Sequence, residues 1–468
     1  MKTHCKFYKF KFQDNGKREV IGDFDGGSIT SDGGGLFLRE INNRFQIIDQ
    51  LSECFTDIRN SKYIEHTVKE LLAQRIYGIA LGYEDLNDHD ELRSDPLLAT
   101  MVGKADPTGE DRILLRDKGK ALAGKSTLNR LELPVNKSSD KRYKKIEADF
   151  EKIEELFLNL FIQMQESVPK NLILDLDATD DPLHGEQEGR FYHGYYHNYC
   201  YMPLYIFCGH SLLSAKLRPS NIDAAQGTVD ELVRIVTKLR DIWPDVKLTI
   251  RADSGFCRQE IMSWCEANDV DYILGLPKND RLIKEIENES NEAQKLYIET
   301  KTSARIFKEF DYKTQKSWDR ERRVVAKAEH LSKGRNPRFI VTSFSKDDYD
   351  KQVLYEDIYC ARGEMENRIK EQQLCLFADR TSTSLMISNQ LRLWFSSFAY
   401  VLINAFRKVA LKGTKMANAQ CSSIRLKLFK IGALVKISVR RIWISMSSGY
   451  AYKDIFEHAF KCLKPLSP

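Results

Sequence analysis

From residue 143 to 163, "YKKIEADFEKIEELFLNLFIQ", apolar side chains recur at Ile146, Phe150, Ile153, Phe157 and Leu160. That spacing predicts a long helix with one buried face. At residue 171 the period drops to two. In "NLILDLDAT" the leucines at 172, 174 and 176 share one face, and Ile173, Asp175 and Asp177 share the other, as in a strand. The runs "YMPLYIFCG" and "LLSAKLRP" read as further strands, followed by a helix near 224–241 and the strands "VKLTIRADSGF" and "DYILGLP". Strand, helix and strand in alternation predict a mixed α/β sheet. Residues 297–344 hold "KLYIETKTSARIFKEFDYKT", "RRVVAKAEHL" and "PRFIVTSF", which predict an antiparallel, β-rich insertion. Helices are expected again from 354 to 460. Before residue 143, strand and turn occupy the first 25 positions, and helices with charged connections fill 35–100.

Composition narrows this picture. A chain of 468 residues exceeds one core and suggests about three domains. The net charge of +5 is unevenly spread: residues 401–468 carry thirteen Lys and Arg against Asp454 and Glu457 alone, which suits a polyanion. Ten cysteines show neither a Cys-x-x-Cys pair nor zinc spacing, so reduced thiols in a cytoplasmic protein are expected. The N-terminus "MKTHCKFYKFKF" has no apolar signal core, and the longest apolar run, 393–406, has only 14 residues between Arg392 and Arg407. That run is too short to span a bilayer and reads as a buried helix.

Several motifs invite chemistry. "LILDLDATDDP" at 172–182 places four acids directly behind an apolar run, and buried carboxylates need a cation nearby. Three readings fit these residues alone: a phosphatase loop with Asp175 attacking and Asp177 as acid, the first metal ligand of a ribonuclease-H-like nuclease, or an Asp-rich turn before Pro182. "KLTIRADSGFC" likewise delivers Asp253 to a strand end. In "LYEDIYCARGEMENRIKEQQ", Tyr359, Arg362, Glu366 and Lys370 fall at helical offsets on one polar stripe, an arrangement suited to clamping a phosphate beside a metal ligand. "GKALAGKS" at 119–126 matches a phosphate-loop pattern, but the short run "RILL" before it is separated by Arg116, Asp117 and Lys118. A helix start capped by Ser126 or Thr127 is the better reading, and no nucleotide cofactor is expected. "YEDLNDHDELRSDP" lacks the Gly and final Glu of a calcium loop, and "GGSITSDGGG" reads as a turn with Ser31 or Asp32 capping a helix.

The order Asp177, Asp253, Glu366, with Tyr-x-x-Arg-x-x-x-Glu in "YCARGEME", resembles the DDE transposases of bacterial insertion sequences. "TSDGG", "GYEDLNDHDELR", "LHGEQEG", "RADSGFCR", "RRVVAKAEH" and "RGEMENRIKEQQ" are similar to the group typified by insertion sequence 1380, over most of residues 20–410. The family's Lys seven residues after the Glu is replaced here by Gln373, with Lys370 on the same face.

The resemblance implies a ribonuclease-H-like mixed sheet with a β-rich insertion, a mostly helical N-terminal DNA-binding domain and a helical, basic C-terminal region. The corresponding boundaries are 1–165, a core in two halves at 166–285 and 351–400, the insertion at 286–350, and 401–468. It implies a transposase that binds terminal inverted repeats, cleaves the DNA ends and joins the 3′-hydroxyls to target DNA. Asp177, Asp253 and Glu366 would hold two Mg²⁺ or Mn²⁺ ions, whose preference for hard oxygens suits carboxylates. Tyr359, Arg362 and Lys370 would grip phosphate, and Trp318, Arg322 and Arg323 of the insertion would meet DNA, the Trp by stacking on a base. A homodimer on double-stranded DNA, without membrane, is implied in the bacterial cytoplasm at the nucleoid. A nuclease of the same fold that cuts without joining, and a DNA-binding relic that has lost catalysis, are the alternatives.

Overall fold

The computed structural model describes residues 9–133 and 145–464, which cluster into two compact units. One gathers the N-terminal stretch to Ser52, residues 57–131 and the chain from Ala405 onward; the other holds residues 53–56 and 132–404.

In the second unit, α1 (Phe150–Gln163) buries Ile153, Leu156, Phe157, Leu160 and Phe161, the stripe read from the sequence. It starts later than predicted because the Asp149 side chain accepts from the Lys152 amide at 3.1 Å, and a cap of this kind fixes a helix start. Ile146–Ala148 is extended, and residues 143–144 of the predicted helix lie outside the described residues.

The sheet is built from β1 (Asn171–Ala178), β2 (Leu204–Cys208), β3 (Ser211–Lys216), β4 (Lys247–Ala252) and β5 (Asp271–Leu276). Helices α2 (Thr228–Ile242) and α3 (Gln259–Ala267) connect β3 to β4 and β4 to β5. Strand β1 pairs antiparallel with β2 and parallel with β4, and β4 pairs parallel with β5. The leucines at 172, 174 and 176 enter a core with Ile206, Leu232, Ile235, Leu239, Leu248 and Ile250. Burying each such side chain contributes roughly 1.5–3 kcal/mol, which is what commits β1 to a single register and sends its acids to the opposite side.

The predicted β-rich insertion is present, but it extends the same sheet. After α4 (Glu287–Thr300), β6 (Ala304–Tyr312), β7 (Arg322–Leu331) and β8 (Arg338–Thr342) add antiparallel strands in the order β3-β2-β1-β4-β5-β8-β7-β6, and the short Gly334–Arg335 pairs with β7 to make nine. Beyond β8 the chain is helical but uneven. Leu354–Tyr359 is a wide π turn, Cys360–Arg362 a tight one, α5 (Gly363–Lys370) regular, and Glu371–Cys375 wide again. Next, α6 (Met386–Ala410) buries Trp394, Phe395, Phe398 and Tyr400; Trp394 donates to the Ala215 carbonyl at 2.9 Å, and Phe398 stacks on Phe157.

In the first unit, helices Leu36–Phe45, Val68–Leu81 and Pro96–Val102 form around apolar residues. Thr67 and Glu70 close a reciprocal cap on the second, and the Asp95 side chain caps the third. The expectation of unbroken helices to 460 is corrected here. Ala433–Ile437 and Ile442–Met446 form an antiparallel hairpin joined by Ile29–Thr30, followed by a helix at Lys453–Leu463. The cause lies in the side chains: Val435, Ile437, Ile442 and Ile444 are β-branched and alternate with other residues, a pattern that fits a half-buried strand. Among the described residues no helix is long and apolar enough to cross a membrane, and none of the nine described cysteines is in a disulfide.

Candidate active site

Strand β1 runs out of its leucine face at Asp177, and β4 ends one residue before Asp253. Glu366 stands on α5. All three line one cleft of about 610 Å³, together with Lys370 and Gln373. Three separate elements thus bring the expected acids to one place.

The two aspartates of β1 have different fates. Asp175 is 3% exposed and takes both arms of Arg251, Nε at 2.5 Å and Nη2 at 2.8 Å. These residues are partners in the parallel register of β1 and β4, so the ion pair ties two strands and leaves Asp175 no free oxygen. Asp177 has no such partner. Burial, opposed by Arg362 and reinforced by the charges of Asp253 and Glu366, pushes its carboxyl up to about 7. Asp253 accepts from the Gly255 amide at 2.8 Å, which holds its side chain at the strand exit.

Arg362 supplies the cation. Its Nη2 donates to Glu366 Oε1 at 2.6 Å, and its Nη1 lies 3.8 Å from Asp177 Oδ2. Burial works against its charge, but Asp177 and Glu366 outweigh that and raise its pKa. Nη1 is buried without a hydrogen-bond acceptor among the described residues. Tyr359 lies one turn back, and burial raises its phenol pKa.

Gly275 on β5 makes room for this approach. A Cβ there would fall 2.7 Å from Tyr359 Oη and 2.8 Å from the Ser254 amide. This position is not among the expected site residues, although a Gly inside the apolar strand "YILGLP" signals close backbone approach. A second unforeseen element is the hairpin of Phe191–His193 and Asn198–Tyr201, whose turn sends Tyr195 and Tyr196 to the cleft.

The carboxylates match a divalent metal in kind, since three hard-oxygen donors share one cleft. They are not gathered into a ready site: among the described residues no group of three His, Cys, Asp or Glu side chains could hold a metal ion. The guanidinium of Arg362 stands between Asp177 and Glu366, offsetting charge that a cation would otherwise offset. The donor set therefore fits, provided Arg362 yields its contacts.

Three of the expected DNA contacts are engaged within the protein. Trp318 is 6% exposed, edge-on to Tyr312 and beneath Arg322. The Arg322 side chain holds Glu266 at 2.7 and 3.0 Å, and Arg323 holds Glu309 and the carbonyls of Phe344, Ser345 and Tyr349. A buried aromatic and two saturated guanidiniums present nothing to a base or phosphate. Lys125 of the "GKALAGKS" stretch bonds Asn87 and faces Asp90, and the turn Leu115–Asp117, not a strand, precedes it.

The profile of a family described as transposase DDE domain group 1 matches residues 12–468. No curated protein matches the chain. Among solved structures, a cryo-EM structure of the piggyBac transposase synaptic complex with hairpin DNA is similar over 93% of this chain and 82% of that one, at 13% identity and a TM-score of 0.45.

Proposed function

The chain belongs to the transposase DDE domain group 1 family, and from that premise we propose that it is the transposase of a bacterial insertion sequence of the group typified by insertion sequence 1380. In this reading it has a ribonuclease-H-like core, binds the terminal inverted repeats of its element, hydrolyses the phosphodiester at each end and joins the freed 3′-hydroxyls to target DNA. The observation that carries the reading is the convergence of Asp177, Asp253 and Glu366 on one cleft beside Arg362.

Asp177, Asp253 and Glu366 would hold two Mg²⁺ or Mn²⁺ ions. When bound, such ions lower the cost of the negative charge that builds on the entering and leaving oxygens. Arg362 offsets the charge of the acids, and its Nη1, which has no hydrogen-bond acceptor among the described residues, suits a phosphate oxygen, because a guanidinium offers a planar fork of donors. The Tyr359 hydroxyl, seated against Gly275, would position the same phosphate, and the exposed Lys370 at the mouth would add a point charge in place of the Lys absent at Gln373. Two ends cut together call for two protomers, hence a dimer on DNA.

The test is cleavage of a labelled duplex carrying the element's terminal repeat and flank, with Mg²⁺ or with EDTA. Wild type should nick at the repeat end only with the metal, and Asp177→Asn, Asp253→Asn and Glu366→Gln should each lose nicking while still binding the duplex. Binding by wild type without nicking would refute the catalytic reading. Nicking without joining to a target would leave a nuclease.

A further inference from the structure

Between Asp379 and Asp454 the chain contains no acidic residue, and within that stretch one element stands out into solvent. The hairpin Ala433–Met446 pairs Lys436 with Trp443 and Ile437 with Ile442. Strand alternation divides its side chains. Ile437, Ile442 and Ile444 line a groove of the first unit with Phe37 and Phe456, and Val439, Arg440 and Arg441 border the same groove, as do Glu40 and Asp106. Lys436 and Trp443 take the opposite face, where Trp443 is 57% exposed.

The turn is tight. The Ser438 amide donates to the Arg441 carbonyl at 2.9 Å, and the Ser438 hydroxyl both donates to that carbonyl and accepts from the Arg441 amide. Val439 and Arg440 are left at the tip, with Val439 fully exposed. Arg441 lies over the Trp443 ring at 5.8 Å, a contact that orders its stem without neutralising it. Lys436, Arg440 and Arg441 form no ion pair among the described residues. Surface cations in this protein are frequently paired, as Lys11 is with Glu19 and Arg258 with Asp223, so three unpaired cations on one small ribbon form a local concentration of positive charge. Its base is anchored by the buried Ala433 and Val435.

We propose that this ribbon docks in a groove of double-stranded DNA, with Lys436, Arg440 and Arg441 neutralising phosphates along the groove's edges and Val439 and Trp443 facing the groove. The inference rests on the transposase reading and says which surface of the first unit holds the duplex. A two-stranded ribbon matches the width of the major groove, about 12 Å, and a rigid tip with cations on either side of an apolar side chain combines charge attraction with groove shape. Another role for such charges is to blunt the open edge of strand 442–446 against other strands, and the experiment separates the two.

Binding of the full-length protein to a duplex carrying the terminal repeat is measured from about 50 to about 200 mM salt, for wild type, Arg440→Gln/Arg441→Gln and Arg440→Lys/Arg441→Lys. Each phosphate neutralised contributes about 0.9 to the slope of log K against log salt, so the Gln pair should lower the slope by about 2 and the Lys pair should keep it. Adding Lys436→Gln should remove about 0.9 more. Because these side chains are exposed, folding is checked by far-UV circular dichroism and by the melting temperature. An unchanged slope in the Gln pair overturns the inference, and does so as well if that variant instead self-associates, which would mark the ribbon as a guarded edge. If wild type nicks the repeat while the slope is unchanged, the transposase reading survives without this surface. If wild type neither binds nor nicks, the reading itself fails and takes the inference with it.

Discussion

Asp177 is costly to keep. Its carboxyl titrates near 7 in the metal-free protein because burial and two neighbouring acids disfavour its charge. In the unfolded chain it ionises from about 3.9. As pH rises from about 4 to about 7 the unfolded state loses its proton first, so folding stability falls across that window and then levels off. Asp177→Asn removes the titration. In EDTA at pH 7.5 this variant should be more stable than wild type by on the order of 2–4 kcal/mol, with the difference vanishing near pH 4. Thermal melts over this pH range check it, and equal melting temperatures at pH 7.5 would show that Asp177 is not held out of water as described. The same substitution should abolish nicking, so one residue trades stability against function. Gly275 is a second such residue. Gly275→Ala pushes a methyl group against the Tyr359 hydroxyl and the Ser254 amide. Because a displacement of about 1 Å at a reacting centre can cost about 100-fold in rate, nicking should fall by roughly 10- to 100-fold while far-UV circular dichroism is unchanged. Activity within twofold of wild type would mean that Tyr359 does not position the phosphate.

At the scale of elements, the pairing of β1 with β4 rests on a buried ion pair as well as on leucines. Arg251→Ala would leave Asp175 buried without its cation and should destabilise the protein by about 3–5 kcal/mol. The double change Asp175→Leu/Arg251→Met should restore most of that, since apolar replacements of a buried pair are often neutral. Urea unfolding of the two variants decides it, and equal losses would show that packing, not charge, holds the strands. This pair also shows where sequence reading stops. Alternation placed Asp175 and Asp177 on one face, but only the parallel register with β4 sets Arg251 opposite Asp175. The three acids that share the cleft could be singled out because each follows an apolar run or stands on a polar helical stripe. The path between Tyr359 and Glu366 was not, since a wide turn and a tight turn replace the regular helix assumed there. Trp318 beside arginines looked like a DNA contact because sequence proximity does not reveal Glu266, which comes from α3. The 433–446 hairpin was missed for the opposite reason: its basic composition dominated over a period-two pattern only five residues long on each side.

Across the whole molecule the two units should respond to pH in opposite directions. In the first unit His66 accepts from Arg112 at 2.9 Å, and burial, together with Lys104 and Arg112, lowers its pKa to about 3. His89 is enclosed beside Gln74, and burial lowers it likewise to about 3. Gly78 permits that enclosure, as a Cβ there would meet the His89 ring at 2.7 Å. Both imidazoles are neutral in the folded and unfolded chain above about pH 7. Below about 6.5 the unfolded chain takes up their protons while the folded unit refuses them until near pH 3, so the first unit loses stability steadily as pH falls through that range. The second unit, in metal-free buffer, gains stability over much of the same range, because folded Asp177 takes up its proton near pH 7 while the unfolded chain takes it up only near pH 4. Acidification should therefore lower the melting of the first unit while raising that of the second. His66→Gln, which keeps an acceptor for Arg112, should flatten the acid-side loss of the first unit by on the order of 1–3 kcal/mol without touching the Asp177 effect. Hydrogen exchange followed by mass spectrometry reads peptides 57–131 and 171–276 separately between pH 4.5 and 7.5, after correction for intrinsic exchange. Opposite pH trends in the two sets, with only the first flattened by His66→Gln, are the expected result. Parallel trends would mean that the protonation of one unit governs the stability of both, and that the buried charges set a single folding transition for the chain.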